Sequence, residues 1–466
     1  MKLIFQPLGE KVKIIEEFIE KTEVNFCDIS LGVKFMWRDT VKVEYAVFND
    51  TLILKETGAN HKNAFYYPMG KDPLGALEKI EEYCLLNCVP LIFGYLDENK
   101  VAFLSARYNK TENRFDRNWC DYIYLKENFI FYSGKKLSGQ RNHVNKFKRN
   151  YPNYKFCKIT EENLPLAIEF LENHNKKQQR AGKIEELERE HALTLTKNMF
   201  NLNQVGGFLE IDGKIVAISI GEKVNDTLII HVEKANIEYS GAYPTMAQEF
   251  AKAFATEEIK YINREEDCGD LGLRTSKSQY QPLEIKEKNF LSVYTLFDNI
   301  DPTVKIKTER LSIERISEGD KENYAKLYLD ERLNKLWGYD YKEDLGSEQP
   351  TPLYFYKFQE SLFNKKEECS YAVKLDGEMI GELVLHNFDY FGGLEMGFRF
   401  FPEYQNKGYA FESANALKRF IKEQLNAKTL KGSCFKENLP SKKLIEKLGL
   451  KLVKENEEKF YFTLTL

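Results

Sequence analysis

The fold is most clearly decided by residues 388–410, which read FDYFGGLEMGFRFFPEYQNKGYA. Residues 388–400 are typical of a hairpin turn followed by an alternating strand, and residues 411–423 are typical of a helix. The glycine-containing loop between them leaves several backbone N–H groups free to point at one anion, aided by the helix dipole. We therefore predict a pyrophosphate cradle formed by Gln405, Asn406, Lys407, Gly408, Tyr409 and Ala410.

The cradle has neighbours in a fixed order along the chain. They are an opening segment at residues 307–315, a strand pair at 371–385 turning at Asp376-Gly377, and a late segment at 438–450. With the pattern Q/R-x-x-G-x-G/A at residues 405–410, this set resembles the GNAT superfamily, closest to its ribosomal-protein alanine acetyltransferase branch. The resemblance implies an N-acetyltransferase domain that uses acetyl-CoA or another acyl-CoA. Its acceptor would be the amine of a small molecule, a peptide or a protein.

The same resemblance implies roles for single residues. The N–H groups of the cradle would bind the CoA pyrophosphate, Asn438 would lie near the thioester, and Glu395 would act as general base, with Ser441 a further catalytic candidate. Each has a structural alternative. Gly408 could serve only a turn, Glu395 could be a solvated or salt-bridged strand residue, and Asn438 with Ser441 could form an N-cap pair.

A second informative stretch runs from residue 231 to residue 277. A strand there ends in a charged loop that contains Gly269 and Gly272. Ionisable groups beside an apolar strand end are costly unless they pair with each other or face a cleft. We predict a cleft lined by Glu233, Lys234, Asn263, Arg264, Glu265, Asp267, Arg274 and Lys277. A purely structural network of ion pairs is the alternative.

A strand at residues 121–125 leads into a basic helix at 135–150, where Arg141, Asn145 and Lys148 share one face. That face could be merely solvated, or it could contact tRNA. The blocks 121–147 and 231–277 closely resemble a bacterial domain related to the C-terminal domain of phosphatidylglycerol lysyltransferase, over about residues 1–295. The resemblance implies two GNAT-like folds in tandem. In lysyltransferases the donor is an aminoacyl-tRNA and the acceptor a lipid.

The predicted fold class is α/β (α+β), with three GNAT-like folds whose mixed central sheets are flanked by helices. The predicted domains are residues 1–150 and 151–300, which form the lysyltransferase-like unit, and residues 301–466, which form the acetyltransferase domain. The leading hypothesis is an N-acyltransferase fused to this unit. The unit itself could transfer aminoacyl groups from tRNA, or could be a non-catalytic module that binds the acceptor.

Composition excludes several other classes. The formal net charge is −4, so no global attraction draws the protein to nucleic acid or anionic lipid. Neither a signal-peptide core nor a transmembrane run is present in the sequence, so we expect a cytoplasmic protein without integral membrane contact. The eight cysteines and six histidines are scattered, and we expect no metal site.

Overall fold

The structure is a computed structural model, and it describes residues 2–19, 26–57, 64–177, 183–338 and 350–466. Within these ranges the chain forms two compact units. The first contains residues 1–83, 91–101 and 113–291, and the second contains residues 84–90, 102–112 and 292–466. No helix in the described ranges combines the length and apolar character needed to cross a bilayer.

The strands, in chain order, are β1 (Gln6–Pro7), β2 (Lys42–Phe48), β3 (Thr51–Thr57), β4 (Ala64–Tyr66), β5 (Met69–Gly70), β6 (Leu91–Leu96), β7 (Thr111–Arg114), β8 (Asp121–Leu125), β9 (Lys155–Lys158), β10 (Val205–Ile211), β11 (Lys214–Val224), β12 (Thr227–Ala235), β13 (Tyr261–Asn263), β14 (Glu284–Lys286), β15 (Asn289–Val293), β16 (Lys305–Lys307), β17 (Leu311–Arg315), β18 (Glu368–Leu375), β19 (Glu378–His386), β20 (Gly393–Phe400), β21 (Thr429–Phe435), β22 (Lys451–Glu455) and β23 (Lys459–Thr465).

The α-helices are α1 (Glu16–Ile19), α2 (Leu31–Trp37), α3 (Pro73–Leu86), α4 (Glu98–Arg107), α5 (Lys126–Phe131), α6 (Ser138–Asn150), α7 (Leu164–Lys177), α8 (Lys183–Lys197), α9 (Ala242–Phe254), α10 (Leu271–Ser278), α11 (Lys321–Leu329), α12 (Glu331–Trp337), α13 (Pro352–Asn364), α14 (Tyr409–Glu423) and α15 (Leu439–Lys447). Short 3₁₀ helices lie at Gly9–Ile15, Cys27–Ile29, Arg117–Trp119, Leu296–Asn299, Glu318–Asp320 and Pro402–Tyr404.

These elements build three mixed sheets. The strand orders are β1-β2-β3-β4-β6-β15-β7 with β5 beside β3, then β14-β8-β13-β12-β11-β10-β9, and finally β16-β17-β18-β19-β20-β21-β23-β22. Each sheet contains a parallel pair, namely β4 with β6, β12 with β13, and β20 with β21. The predicted fold class, mixed sheets flanked by helices, is confirmed.

Tight turns connect several of the antiparallel pairs. Asp376 and Gly377, predicted as the turn of a strand pair, have φ of 51° and 89° and join β18 to β19. Positive φ at both central residues gives a turn whose twist matches the flanking strands, and a glycine meets this demand without strain. The register then places Ala372 opposite Glu382.

The first two sheets share one core. A single hydrophobic cluster joins Leu52 and Leu54 of β3 to Phe208 of β10 and Ile218 of β11. A second cluster covers the other face of the second sheet with residues of α5, α6 and α9, including Phe147 and Phe250. The shared cluster explains why both sheets belong to one compact unit.

The sheets do not change at the predicted domain edges. β8 already pairs with β13 and β14, so the second sheet begins before residue 150, and β15 returns the chain to the first sheet. Leu296 and Phe297 pack in the core of the second unit, ahead of residue 301. As a division into domains, the ranges 1–150, 151–300 and 301–466 stay a prediction.

In the second unit, helices cover both faces of the sheet. One face packs Leu394 and Met396 of β20 against α14 and α15, through residues such as Leu417 and Ile445. The other face packs against α11 and α13 through an aromatic cluster that includes Tyr328.

Candidate functional site

The centre of the second unit is the place where two parallel strands part. β20 and β21, both fully described, pair only at Gly393–Glu395 with Thr429–Lys431, although they continue to Phe400 and Phe435. Beyond this point the facing backbone groups of the two strands are not bonded to each other. An extended ligand could therefore insert between them and form hydrogen bonds with the backbone.

The predicted cradle follows β20 directly. Asn406 and Gly408 adopt left-handed backbone conformations, with φ of 60° and 87°, and Gly408 is the N-cap of α14. The N–H groups of Tyr409, Ala410 and Phe411 belong to the first helical turn, so they have no carbonyl one turn earlier to bond. The helix dipole adds partial positive charge at the same place, so an anion is favoured there.

Two cradle residues have other contacts. Gln405 donates its backbone N–H to Pro402 O at 3.2 Å and its side-chain Nε2 to Phe400 O at 2.9 Å, so it holds the strand end. Lys407 is exposed, and its carbonyl accepts a hydrogen bond from Arg310 Nη1 at 3.3 Å. The backbone donors available to an anion are therefore centred on Gly408 and the first turn of α14.

Arg310 is a residue at this site for which the sequence predicted no role. Its guanidinium lies 4.6 Å from the ring centre of Tyr409, and a Cβ on Gly408 would lie 3.3 Å from Arg310 Nη2. Glu412 holds it by an ion pair of 2.7 Å and also accepts from Thr308 Oγ1 at 2.6 Å. Burial would raise the pKa of Glu412, but the hydrogen bonds from Thr308 and Arg310 lower it, so this carboxylate stays ionised.

Glu395 lies at the last paired position before β20 and β21 separate. Its Oε1 accepts from Ser433 Oγ at 2.7 Å and its Oε2 from Asn387 Nδ2 at 3.0 Å. His386 lies opposite Glu395 on β19, and burial lowers the pKa of this imidazole despite the nearby carboxylate. Sequence inspection missed Ser433 and Asn387, because neither lies within a recognised motif.

Asn438 and Ser441 lie at the start of α15. Asn438 Oδ1 accepts from the backbone N–H of Ser441 at 3.2 Å, which makes Asn438 the N-cap of this helix. The capping alternative therefore describes this contact. A role for either side chain at the thioester stays a prediction.

The first unit contains a cavity of about 1680 Å³. Six of the eight predicted cleft residues line it: Glu233, Lys234, Arg264, Glu265, Asp267 and Lys277. Asn263 and Arg274 do not. Asn263 is buried and donates to Asp121 Oδ2 at 2.7 Å, while Arg274 is partly exposed and binds Asp267. Trp37, Trp119 and Phe290 contribute aromatic surface to the same cavity.

The cavity lies beside a second pair of parting strands. β12 and β13 pair only at Thr227–Ile229 with Tyr261–Asn263. Just beyond, His231 Nδ1 lies 2.7 Å from Glu265 Oε1 and His231 Nε2 lies 3.8 Å from Glu222 Oε2. Burial alone would lower the pKa of His231, but the two carboxylates outweigh it and raise the pKa to about 9. The imidazole is therefore cationic at neutral pH.

Asp267 is the centre of an ion-pair network at the cavity wall. It accepts from Arg274 Nε at 2.9 Å and Nη2 at 2.8 Å, from Arg117 Nη1 at 3.1 Å, and from Tyr122 Oη at 2.6 Å. Burial alone would raise the pKa of Asp267, but these hydrogen bonds, led by those from Arg274, hold it well below its usual range. This network matches the structural alternative for Arg274.

A buried lysine is a further feature that the sequence did not reveal. Lys288 Nζ lies 2.5 Å from Asp28, 2.7 Å from Asp121 and 3.3 Å from Glu266. Burial and the neighbouring aspartates raise the pKa of Glu266 to about 7, although Lys288 lowers it. Among described residues, Cys27, Asp28 and Asp121 form a group that could hold a metal ion, but the ammonium of Lys288 already pairs with both carboxylates.

The first unit also repeats the cradle backbone at the start of α9. Gly241, the N-cap of α9, has φ of 90°, close to the 87° of Gly408. A Cβ on Gly241 would lie 2.5 Å from His143 O and 3.1 Å from Phe147 Cβ, both on α6. Helix α6 therefore packs against Gly241, while Gly241 and the first turn of α9 also line the cavity.

The predicted basic face of α6 is largely engaged within the first unit. Arg141 Nη1 donates to Gly134 O at 3.1 Å and also to Tyr132 O, while Lys148 pairs with Glu249 at 3.0 Å. These contacts leave less free positive charge for a nucleic acid than the sequence suggested.

Comparison with known proteins identifies the family of this chain. The family model for phosphatidylglycerol lysyltransferase, C-terminal, matches residues 23–291, more than half of the chain. The chain belongs to this family. A conserved protein of unknown function from Bacteroides thetaiotaomicron VPI-5482 is 31% identical, with a TM-score of 0.57, and the match covers 63% of this chain and 100% of that chain.

A second family model matches a later part of the chain. The model for an acetyltransferase (GNAT) domain matches residues 310–451. The uncharacterized N-acetyltransferase YnaD of Bacillus subtilis (strain 168) is 37% identical over 75 residues, which is 16% of this chain and 43% of that relative. This chain thus spans less than half the length of that curated relative. The spermidine N-acetyltransferase of Vibrio cholerae, solved with CoA and spermine, is 16% identical with a TM-score of 0.30, covering 34% of this chain and 96% of that one.

Proposed function

We propose that the second unit transfers an acetyl group from acetyl-CoA to a primary amine. One arrangement supports this: the cradle at Gly408 follows β20, and Glu395 is the last residue of β20 paired with β21 before the gap between them. The cradle would bind the pyrophosphate of acetyl-CoA, and the gap would accept the extended part of the same molecule. Glu395 would then lie beside the thioester.

In this proposal acetyl-CoA supplies the thioester, and residues of the chain remove a proton from the acceptor and orient the reacting groups. Glu395 removes a proton from the acceptor ammonium, so that the nitrogen gains a lone pair. A C–N bond then forms as the C–S bond breaks, and the departing sulfur takes up a proton. Ser433 and Asn387 hold the two oxygens of Glu395 in place. Arg310 adds positive charge near the phosphates.

Isothermal calorimetry with acetyl-CoA, followed by mass spectrometry of a panel of amines incubated with enzyme and acetyl-CoA, tests this function. Binding at one site per chain and a mass increase of one acetyl group on an amine are the expected results. Absence of acetyl-CoA binding by folded protein would refute it.

For the first unit we propose aminoacyl transfer from a charged tRNA, because its site differs from the second in one decisive respect. At the N-terminus of α9, Ala242 N–H donates to Tyr239 O at 2.9 Å and Pro244 has no N–H, so a pyrophosphate finds fewer backbone donors there than at α14. The gap between β12 and β13 nevertheless opens into a large cavity with ionisable groups. An acyl donor without a pyrophosphate at this position fits such a site.

A non-catalytic module that binds the acceptor is the competing function of this unit. Thermal-shift measurements on the full chain with aminoacyl-tRNA, uncharged tRNA and free amino acids separate the two. Selective stabilisation by the charged tRNA supports transfer. Stabilisation by small amines alone would support the binding module instead.

A further inference from the structure

An aromatic side chain lies beside Glu395 on the same face of the third sheet. Gly397 follows Glu395 by two residues on β20, so both positions face the same side, about 7 Å apart. A Cβ on Gly397 would lie only 2.6 Å from Trp337 Cη2. The indole therefore rests directly on the strand backbone, at the next position along the same face as Glu395.

The sequence keeps this contact open by having glycine at position 397. Glycine inside a strand weakens the strand, and it usually occurs there because another group approaches the backbone closely. Here that group is the end of α12, where Trp337 is followed by Gly338 with φ of 80°. A Cβ on Gly338 would lie 3.1 Å from the ring of Phe435 on β21. The turn after α12 thus packs against both parting strands.

A buried ion pair fixes the indole from behind. Arg399 lies 4.9 Å from the ring centre of Trp337 and 4.2 Å from that of Tyr328, and its Nη1 donates to Asn334 Oδ1 at 3.0 Å. Its carboxylate partner is Glu382, and both side chains are at least 95% buried. Burying an ion pair costs desolvation free energy that can exceed the attraction between the charges. We therefore take the role of this pair to be the orientation of the indole rather than a gain in stability. It joins β19, β20 and α12 into one rigid wall.

We propose that Trp337 determines acceptor specificity, holding an aliphatic ammonium group against its indole while the nitrogen points to Glu395. This inference rests on the proposed acetyl transfer and names its substrate class: primary amines on aliphatic carbon, which are cationic at neutral pH. An ammonium is attracted to an indole ring, and a neutral aromatic amine is attracted much less. Glu395 supplies the opposite charge and then removes the proton. Trp337 is a specificity-determining residue and takes part in no bond change.

The test uses acetyl-CoA with 1,4-diaminobutane, glycinamide and 4-aminobenzoate as acceptor probes. Trp337→Leu should raise KM for the two aliphatic amines by about threefold to thirtyfold, with kcat and KM for acetyl-CoA nearly unchanged. Gly397→Ala should act in the same direction, because the added methyl displaces the indole without removing it. Leu336→Ala, on the same short helix, is the matched control and should behave as wild type. Equal KM values in Trp337→Leu and wild type, or an equal rise in Leu336→Ala, would overturn the inference.

A binding measurement completes the test without turnover. The chain has three tryptophans, so replacing Trp37 and Trp119 by phenylalanine leaves Trp337 as the sole source of indole fluorescence. With CoA present, 1,4-diaminobutane should change that emission in a saturable way. No change over the whole titration would also overturn the inference. If instead the wild-type protein fails to bind acetyl-CoA in calorimetry, the proposed function itself fails.

Discussion

Replacing Gly408 by valine tests the cradle most directly. Its φ of 87° lies in the left-handed region, where a β-branched residue is strained by about 1–2 kcal/mol. The new Cβ would also lie 3.3 Å from Arg310 Nη2, so the guanidinium has to shift. Both effects move the first turn of α14 away from the position that an anion needs.

The magnitude follows from the hydrogen bonds at risk. The N–H groups of Tyr409, Ala410 and Phe411 have no partners within the helix, and a hydrogen bond to a charged phosphate contributes about 1.5–3 kcal/mol. Losing two of them weakens acetyl-CoA binding by about 3–6 kcal/mol, which is roughly 10²–10⁴ in Kd. Isothermal calorimetry at fixed pH and salt measures this change.

A matched control separates backbone strain from site geometry. Gly377 has φ of 89° at the β18–β19 turn, and a Cβ there meets nothing within 4 Å. Gly377→Val therefore carries the same kind of strain and should keep the wild-type Kd. If folded Gly408→Val binds acetyl-CoA within threefold of wild type, the cradle assignment is wrong.

Three further outcomes are expected. Glu395→Gln should slow acetyl transfer by about 10²–10⁴-fold with unchanged acetyl-CoA affinity, and activity within a few fold of wild type at every pH would assign Glu395 to structure. Arg274→Ala should lower the melting temperature, because Asp267 loses the two hydrogen bonds that Arg274 donates. If the melting temperature is unchanged and ligand-induced stabilisation is lost, Arg274 binds substrate instead. His231 should titrate near pH 9 by NMR. Because the pKa of His231 is raised in the folded state, its contribution to stability is complete below about pH 6.5 and disappears as the pH rises through 9. A measured pKa near 6.5 would contradict its ion pairs with Glu222 and Glu265.

Local patterns predicted the second unit well. The loop at residues 405–410, the turn at Asp376-Gly377 and the helix after the loop were all visible, because each depends on residues close together in sequence. The helix begins at Tyr409, two residues before the predicted start at Phe411. Such a shift is expected, since the first helical turn makes few internal hydrogen bonds.

The polar interior of the first unit could not be predicted in the same way. Cys27, Asp121 and Lys288 meet although 94 and 261 residues separate Cys27 from the other two. Only the fold brings such groups together, and a lone lysine carries no sign in the sequence that it will be buried. The ion pair of Arg274 with Asp267 matches the structural alternative, and a role of Arg274 in the cleft stays a prediction.

The two left-handed glycines show how one backbone arrangement can serve two kinds of donor. Gly241 and Gly408 each begin a helix after a strand that parts from its parallel neighbour, so both helices could bind a phosphate group. At α9, however, the N–H of Ala242 bonds Tyr239 O and Pro244 has no N–H, so fewer backbone donors are free than in the first turn of α14. Fewer donors weaken a pyrophosphate site but leave the gap between the strands, where the reacting groups would meet. Under the two proposed functions, the units differ in donor but keep the same place for acyl transfer.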